Sequence, residues 1–532
     1  MQTDLFVKPK PWDRETTKKR STYCCNILRQ PVISVAFNGR VSSKTLPEVY
    51  ADLVNDRVDD FPYVRPHQRH FWHTTLCQIG TIAMVNAGPA DLLHRPEEWE
   101  EVLRNLTREQ FPDDDPWRMV NPDITRPAFL QSPASAAEKI SDYNKILETP
   151  TGLDLPVASK HHDLRELDIR QATPEMWLFA LAARQAGGGY DGPRLYEVSR
   201  MNSGSGNRHG FSLTPSTRWG PHIRRDIRVL THLCQANDVK NLLLWTRPWD
   251  GTKQEQIPLD SLTPLELYVD VSRRIRLELD PQDRITARYA TSESPRVHAK
   301  EVKGLTRDPW TITETDKAVT VASAGFGYRQ VTNYLNPGKC TLPVLAKPSQ
   351  ADGQTDTYLV ARALARGQGK TEGYHERIIP LNRKATGMLR GPATQRQLHI
   401  IAESRVKYVG EVQSILGHAV KTYLQNGKSA GKTKNEHQEV INNARRRLEQ
   451  AVDQRFWQDL QDELDSQEPE RTKWEWSQQV PVQLAREILA SVCQSGLCRH
   501  ADRYKAITEA TGLFERRTAT SKKLPSKPEE KE

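Results

Sequence analysis

The run Arg200-Met201-Asn202-Ser203-Gly204-Ser205-Gly206-Asn207-Arg208-His209-Gly210 gathers residue types suited to contact with a nucleic acid. Small residues let a backbone approach a partner closely. Arg200 and Arg208 are expected to hold phosphates there, while Ser and Asn hydrogen-bond base edges. The plain alternative is a surface loop. Three basic clusters stand apart from this run: Arg224-Arg225 with Arg228, Arg273-Arg274 with Arg276, and Arg445-Arg446-Arg447. Each fits either phosphate contact or a solvated face. Arg445 and Arg446 are taken as phosphate contacts.

Patterns for bond-making chemistry are incomplete. Gly369-Lys370-Thr371, Gly427-Lys428-Ser429 and Gly431-Lys432-Thr433 each end like a phosphate loop. Such a loop needs a further glycine five residues earlier to wrap phosphates. Those positions hold Leu364, Thr422 and Asn426. No zinc-protease helix and no Gly-x-Ser-x-Gly elbow occurs. His162-Asp163 is a possible metal-binding pair, but no further histidines accompany it at metal-site spacing. Asp113 to Asp115 form a turn that would bind a cation or, more simply, remain solvated. Cys24, Cys25, Cys77, Cys234, Cys340, Cys493 and Cys498 contain no CxxC pair. Free thiols in a reducing cytoplasm are expected, with no metal and no cofactor; an enzyme is unsupported by these patterns but not excluded by them.

Charge and length frame these residues. The chain has 532 residues, with Lys+Arg 76 and Asp+Glu 67, a net charge of +9. That excess permits an anionic partner without requiring one. No run approaches the ~20 apolar residues of a membrane span. The polar start, Met1 to Lys10, lacks the apolar stretch of a secretory signal.

The elements that must position the candidate groups fall into two regions. Residues 46–106 read as helical, with Pro96 in a first turn. Glu175 to Ala186 reads as an apolar helix closed by Gly187-Gly188-Gly189. Leu242 to Trp245 and Val319 to Ala322 read as short buried strands, and Arg284 to Tyr289 and Val297 to Val302 alternate with period two. From about residue 395, apolar stripes at spacings of three and four mark four amphipathic helices. Leu398 to Tyr423 form the first and Ile441 to Leu464 the second. Pro481 opens the third, and Tyr504 to Ala510 lie on the fourth. The expected fold class is α+β. Residues 1–380 form a large irregular α/β domain, 381–514 a four-helix bundle, and 515–532 a disordered tail.

Taken in order, several segments resemble one family. They are Arg65-Pro66-His67-Gln68-Arg69, Asp115-Pro116-Trp117, Pro127-Ala128-Phe129-Leu130-Gln131 and Ser159-Lys160-His161-His162-Asp163-Leu164. After the Ser/Gly run come Arg224-Arg225-Asp226-Ile227-Arg228-Val229-Leu230, Leu244-Trp245, Pro248-Trp249-Asp250-Gly251 and Gly373-Tyr374-His375-Glu376-Arg377. The chain resembles the large subunit of the type I-E Cascade complex, the CasA family of CRISPR effectors. The resemblance implies a non-catalytic subunit that reads a protospacer-adjacent motif in double-stranded DNA. It also implies help in duplex opening and R-loop formation, contact with the 5′ handle of the guide RNA, and recruitment of a separate nuclease. Guide pairing reads the sequence, and protein reads only the short flanking motif. Partners implied are guide RNA, target DNA, the backbone and small Cascade subunits, and that nuclease.

By position, the family's glycine loop matches Ser203, Gly204, Ser205, Gly206 and Asn207, which would meet the motif from the minor groove. A companion lysine matches Lys300 or Lys303. Gln368, Gly369 and Lys370 match the strand-separating wedge, and Ser159, Lys160, His161 and His162 the guide-handle loop. Ser203 and Ser205 stand where relatives are richer in glycine, and a mid-chain cysteine cluster that suggests zinc in some relatives is missing. A free-standing nucleic-acid-binding protein, or a metal-dependent nuclease using His161, His162 and Asp163, is the alternative.

Overall fold

The computed structural model describes residues 25–88, 91–155, 172–234, 243–262, 271–349, 352, 355–367, 370–428 and 435–528. Ser159, Lys160, His161 and His162, expected to contact the guide handle, lie outside them with Asp163, as do Gln368 and Gly369 of the expected wedge. The chain divides into two compact units. One comprises Met1–Ser323, Pro343–Leu345 and Val360–Glu376; the other comprises Ala324–Leu342, Ala346–Leu359 and Arg377–Glu532. The division thus falls differently from a single cut near residue 380.

The first unit opens with β1 (Ile33–Phe37) and β2 (Arg40–Lys44), joined antiparallel through Asn38-Gly39. Both turn residues have positive φ, +49° and +73°, the backbone an Asn-Gly hairpin turn needs. Thr45 and Glu48 form a capping box that starts α1 (Leu46–Val54). Then come α2 (Arg69–Ala87), buried from His70 to Val85, and α3 (Pro96–Asn105), with Pro96 in its first turn. Next are β3 (Lys145–Leu147), α4 (Pro174–Gly187), β4 (Gly210–Thr214) and α5 (Trp219–Leu233). The unit continues with β5 (Ile257–Pro258), β6 (Arg274–Leu279), β7 (Ile285–Ala290) and β8 (Val297–His298). β3, β7 and β6 form one antiparallel sheet, and β5 and β8 a short parallel pair. The long strands β9 (Thr357–Gly367) and β10 (Lys370–Leu381) give this unit their Val360–Glu376 stretch, and with β4 they make a sheet in the order β10-β9-β4. Trp72, Trp99, Trp117, Trp177, Trp245 and Trp310 fill the core around α2 and α4.

Several sequence expectations change here. α4 ends at the expected glycines, but Gly188 has φ −64°, so no left-handed cap is made. Small residues are needed there for space: a Cβ on Gly187 would lie 2.3 Å from the Phe71 ring. Leu244–Thr246 is a 3-10 turn rather than part of a strand. Val319 to Ala322 is not a strand; a Thr313–Ala318 bridge and a Val319 N–H to Ile312 carbonyl bond hold it. Pairing after Val297 stops at His298. In the Asp113–Asp115 turn only Asp113 is solvated. Asp114 pairs with Arg29 (2.9 Å) and Arg104 (3.0 Å), and Asp115 with Arg126 (2.6 Å), both carboxylates being buried.

The second unit begins with α6 (Tyr328–Tyr334). Its remaining helices are α7 (Arg383–Met388), α8 (Pro392–Leu424), α9 (Asn435–Asp453), α10 (Phe456–Asp465), α11 (Pro469–Ser477), α12 (Gln483–Gln494) and α13 (Arg503–Thr520). The 33-residue α8 packs against α9, α12 and α13, giving a helical bundle. The stripe from Ile441 to Leu464 is two helices, not one. It breaks after Asp453, whose carboxylate accepts from the Tyr328 N–H (2.7 Å) and pairs with Arg377 (2.5 Å). Pro481 lies inside a π-helical turn, Gln478–Val482, instead of opening a helix. α13 runs past residue 515, where a disordered tail was expected. Phe514, Thr518 and Leu524 are buried, and Ser521 and Lys523 bind Glu411 at 2.9 and 3.2 Å.

Candidate nucleic-acid interface

The Ser/Gly loop lies between α4 and β4, and backbone bonds pin it. The Gly206 N–H donates to the Ser203 carbonyl (2.8 Å), and the Tyr190 N–H donates to the Gly204 carbonyl (3.2 Å). Asn202 donates to the Ala318 carbonyl (2.8 Å) and the Thr320 hydroxyl (2.9 Å). Asn207 exchanges two bonds with the Val321 backbone, at 2.7 and 3.1 Å. Both asparagines therefore stitch the loop to residues 318–321. Asn207 is buried and so is not available to a base edge, a correction to its expected role. Ser203 and Ser205 remain exposed.

Arg200 and Arg208 also depart from expectation. Both side chains are fully buried, and both bond Oδ2 of Asp308, at 3.2 and 2.9 Å. Burial alone would raise the Asp308 carboxyl, but Arg208 and Arg200 outweigh it and hold it below its ordinary value. Next to them, burial pushes His209 down to about 4. Its Nε2 accepts the Ile312 N–H (2.9 Å), which fits a neutral ring. The two arginines are thus a buried ion cluster beneath the loop, not phosphate contacts. Asp308 was missed by sequence reasoning because it lies 100 residues from Arg208. One signal existed: Asp308-Pro309-Trp310 repeats Asp115-Pro116-Trp117, and both aspartates are buried against arginines.

Above this cluster the loop borders a groove of about 380 Å³. Gly204 and Lys300 line it together, with Tyr190, Tyr196, Glu197 and Met201 among its other walls. A Cβ on Gly204 would come within 2.6 Å of the Tyr190 Cβ, so glycine is required by close approach. Lys300 is exposed at the rim; Lys303 is exposed but does not line the groove. Lys303 instead sits in a turn with φ +47°, its carbonyl accepting the Ala318 N–H (2.9 Å). The groove aromatics and Glu197 carried no pattern that sequence could single out.

The other arginine clusters are mostly internal. Arg225 is buried against the Leu345 carbonyl (3.0 Å) and Asp226 (3.2 Å), and Arg224 bonds the Leu53 and Val54 carbonyls. Arg228 pairs with Asp91 (3.1 Å) on the surface. Arg273 bonds the Gly189 carbonyl, Arg274 pairs with Glu138, and Arg276 bonds the Arg126 carbonyl (3.1 Å). In the second unit Arg445 is half-buried, with its guanidinium against Gly417 and its Nε donating to the Gln413 carbonyl (3.4 Å). Arg445 is thus partly engaged within its own unit, and Arg446 is exposed. Around the residues expected to form the wedge, β9 stops at Gly367 and β10 starts at Lys370.

The fold is shared with solved CRISPR-associated proteins. A CRISPR associated protein from Thermus thermophilus shares the fold with TM-score 0.60 at 15% identity, over 92% of this chain and 98% of that one. Cse1 of Acidimicrobium ferrooxidans gives 0.60 at 13%, over 93% and 98%. Cse1 of Thermobifida fusca gives 0.56 at 13%, over 94% and 100%. No curated protein matches the chain by sequence. The family model of CRISPR-associated protein Cse1 matches residues 26–487. The chain belongs to the Cse1 family, the CasA-type large subunit of type I-E Cascade. Among the described residues no helix is long and apolar enough to cross a membrane.

Proposed function

We propose that this chain reads the protospacer-adjacent motif of double-stranded DNA for its Cascade complex, without chemistry of its own. The observation that supports this reading is the groove lined by both Gly204 and Lys300, with the chain neighbours of Gly204, Ser203 and Ser205, exposed. The minor groove offers acceptors on every pair and one donor on G·C pairs. Serine hydroxyls and backbone amides suit such a degenerate pattern, and a lysine adds phosphate or acceptor contact. Lys300 is assigned this part over Lys303, because only Lys300 lines the groove. Residues 368–370 between β9 and β10 are assigned the wedge, residues 159–162 the guide handle, and the bundle the contacts with other subunits and the nuclease.

The test uses the assembled complex with guide RNA and duplex targets carrying different motifs. Lys300→Ala weakens every motif-bearing duplex and reduces the salt slope by about 1, whereas Lys303→Ala does neither. Bulky replacements at Ser203 to Gly206 flatten motif discrimination. Alanines at Gln368, Gly369 and Lys370 impair duplex opening more than binding of a target already unpaired. Unchanged discrimination, or equal loss on both targets, overturns the respective assignment.

A further inference from the structure

Two helices of the first unit each carry a pair of ligand-type side chains one turn apart. On α2 these are His73 and Cys77; on α5 they are His222 and Asp226. Residues four apart share a helix face, and here the two faces meet. His73 Nε2 lies 2.8 Å from Asp226 Oδ2 and 3.5 Å from Cys77 Sγ. His222 Nε2 lies 3.6 Å from the same carboxylate oxygen, and the imidazole centroids are 4.1 Å apart. His73, Cys77 and Asp226 all place one ligand atom within 4.8 Å of the others, and all four residues are buried.

We propose that His73, Cys77, His222 and Asp226 form a closed structural site for a tetrahedral divalent transition ion, Zn²⁺ by the mix of ligands. Zinc takes nitrogen and oxygen at ~2.0–2.1 Å and sulfur at ~2.3 Å, so tetrahedral ligands stand about 3.3 Å (N···O) and about 3.6 Å (N···S) apart. The 3.5 Å and 3.6 Å separations already match, whereas His222 falls outside the group whose ligand atoms all lie within 4.8 Å of one another, so its ring must turn inward to complete the tetrahedron. The 2.8 Å His73–Asp226 contact is a hydrogen bond that opens by about half an ångström when the ion replaces the shared proton, which moves to His73 Nδ1 as the neutral ring changes tautomer. His222 Nε2 must likewise release the Ser212 hydroxyl, now at 2.9 Å. Cys77 gives its proton to solvent, and thiolate plus carboxylate neutralise the ion. The outer bonds are in place: Trp310 Nε1 donates to Asp226 Oδ2 (3.2 Å) and Arg225 to Oδ1 (3.2 Å). With four protein ligands no position stays open, so the ion would clip α2 to α5 and do no catalysis. The two pairs lie 145 residues apart in sequence, which hides them from any spacing search.

The full-length chain, expressed with added zinc and dialysed into metal-free buffer, should hold about one zinc per chain by elemental analysis. Cys77→Ser and Asp226→Asn should each retain under half of it. Cobalt in place of zinc should give a thiolate charge-transfer band that Cys77→Ser lacks. Where a variant does not fold, chelator-treated wild-type protein decides: added zinc should raise its melting temperature. A zinc-free wild type, equal zinc in folded variants, no thiolate band, or a melt indifferent to zinc overturns the site and leaves a hydrogen-bonded core.

Discussion

Asp308 bonds two fully buried guanidinium groups, Arg200 and Arg208, directly beneath the loop. Removing one partner of a buried ion cluster leaves charge uncompensated in the interior, which costs about 3–5 kcal/mol. Asp308→Asn should therefore lower the stability of the first unit, read from its urea transition, by that much and loosen the loop it supports. A midpoint within error of wild type would show that Arg200 and Arg208 find other acceptors. His209, held neutral nearby, sets a pH dependence. Its folded value of about 4 lies below the ~6.5 of an unfolded histidine, so the unfolded chain takes up the proton first as pH falls. The contribution is complete above ~6.5 and is lost between ~6.5 and about 4, at up to ~1.4 kcal/mol per pH unit. Glu175 acts oppositely, since burial raises it to about 7 and its contribution is lost as pH rises through that value. Comparing wild type with His209→Gln isolates the histidine: the variant's acid limb should be shallower. Identical limbs would refute a neutral buried His209.

Among the elements, α13 shows how packing extends a helix into a segment of disordered composition. Lys, Glu, Pro and Ser dominate residues 515–532, yet Thr518 and Leu524 reach the interior of the second unit. Glu515 also pairs with Arg486 at 2.7 and 3.0 Å. Deleting residues 515–532 should lower the bundle's stability by about 1–3 kcal/mol, mostly from the lost apolar burial, with exposed pairs adding under ~1 each. An unchanged thermal transition would mean the tail packs without consequence. α9 and α10 carry the converse lesson. Their apolar stripe is nearly continuous, but Asp453 serves the α6 N-terminus and Arg377, and the helix breaks there.

For the whole molecule, the net charge of +9 does not say how many arginines face solvent. Arg200, Arg208, Arg225, Arg273, Arg274, Arg276 and Arg405 are all buried. Fewer cations are left to displace counterions, and log K falls by about 0.9 per phosphate contacted for each tenfold rise in salt. The isolated chain should therefore bind duplex DNA weakly, with a slope worth a few phosphates, and gain affinity only in the assembled complex. A slope of about six or more, on the order seen with extensive phosphate contact, would contradict this account.

Sequence determined what depends on local or ordered patterns. Apolar periodicity marked α8 and α9, which bury one stripe, and apolar content marked α2 and α4, which are buried nearly all round. Pro96 and the Asn38-Gly39 pair sit where backbone geometry favours them, the latter seen only in the structure. The ordered motifs carried the family. Tertiary structure decided which groups face out. A sequence cannot show that Asp308 lies under Arg208, that Asn207 serves Val321, or that Lys300 rather than Lys303 reaches the groove beside Gly204. Nor can it show that His73 and Cys77 meet His222 and Asp226. Arginine has the same composition signal whether it binds phosphate or a buried carboxylate, and only the fold supplies the partner that settles its role.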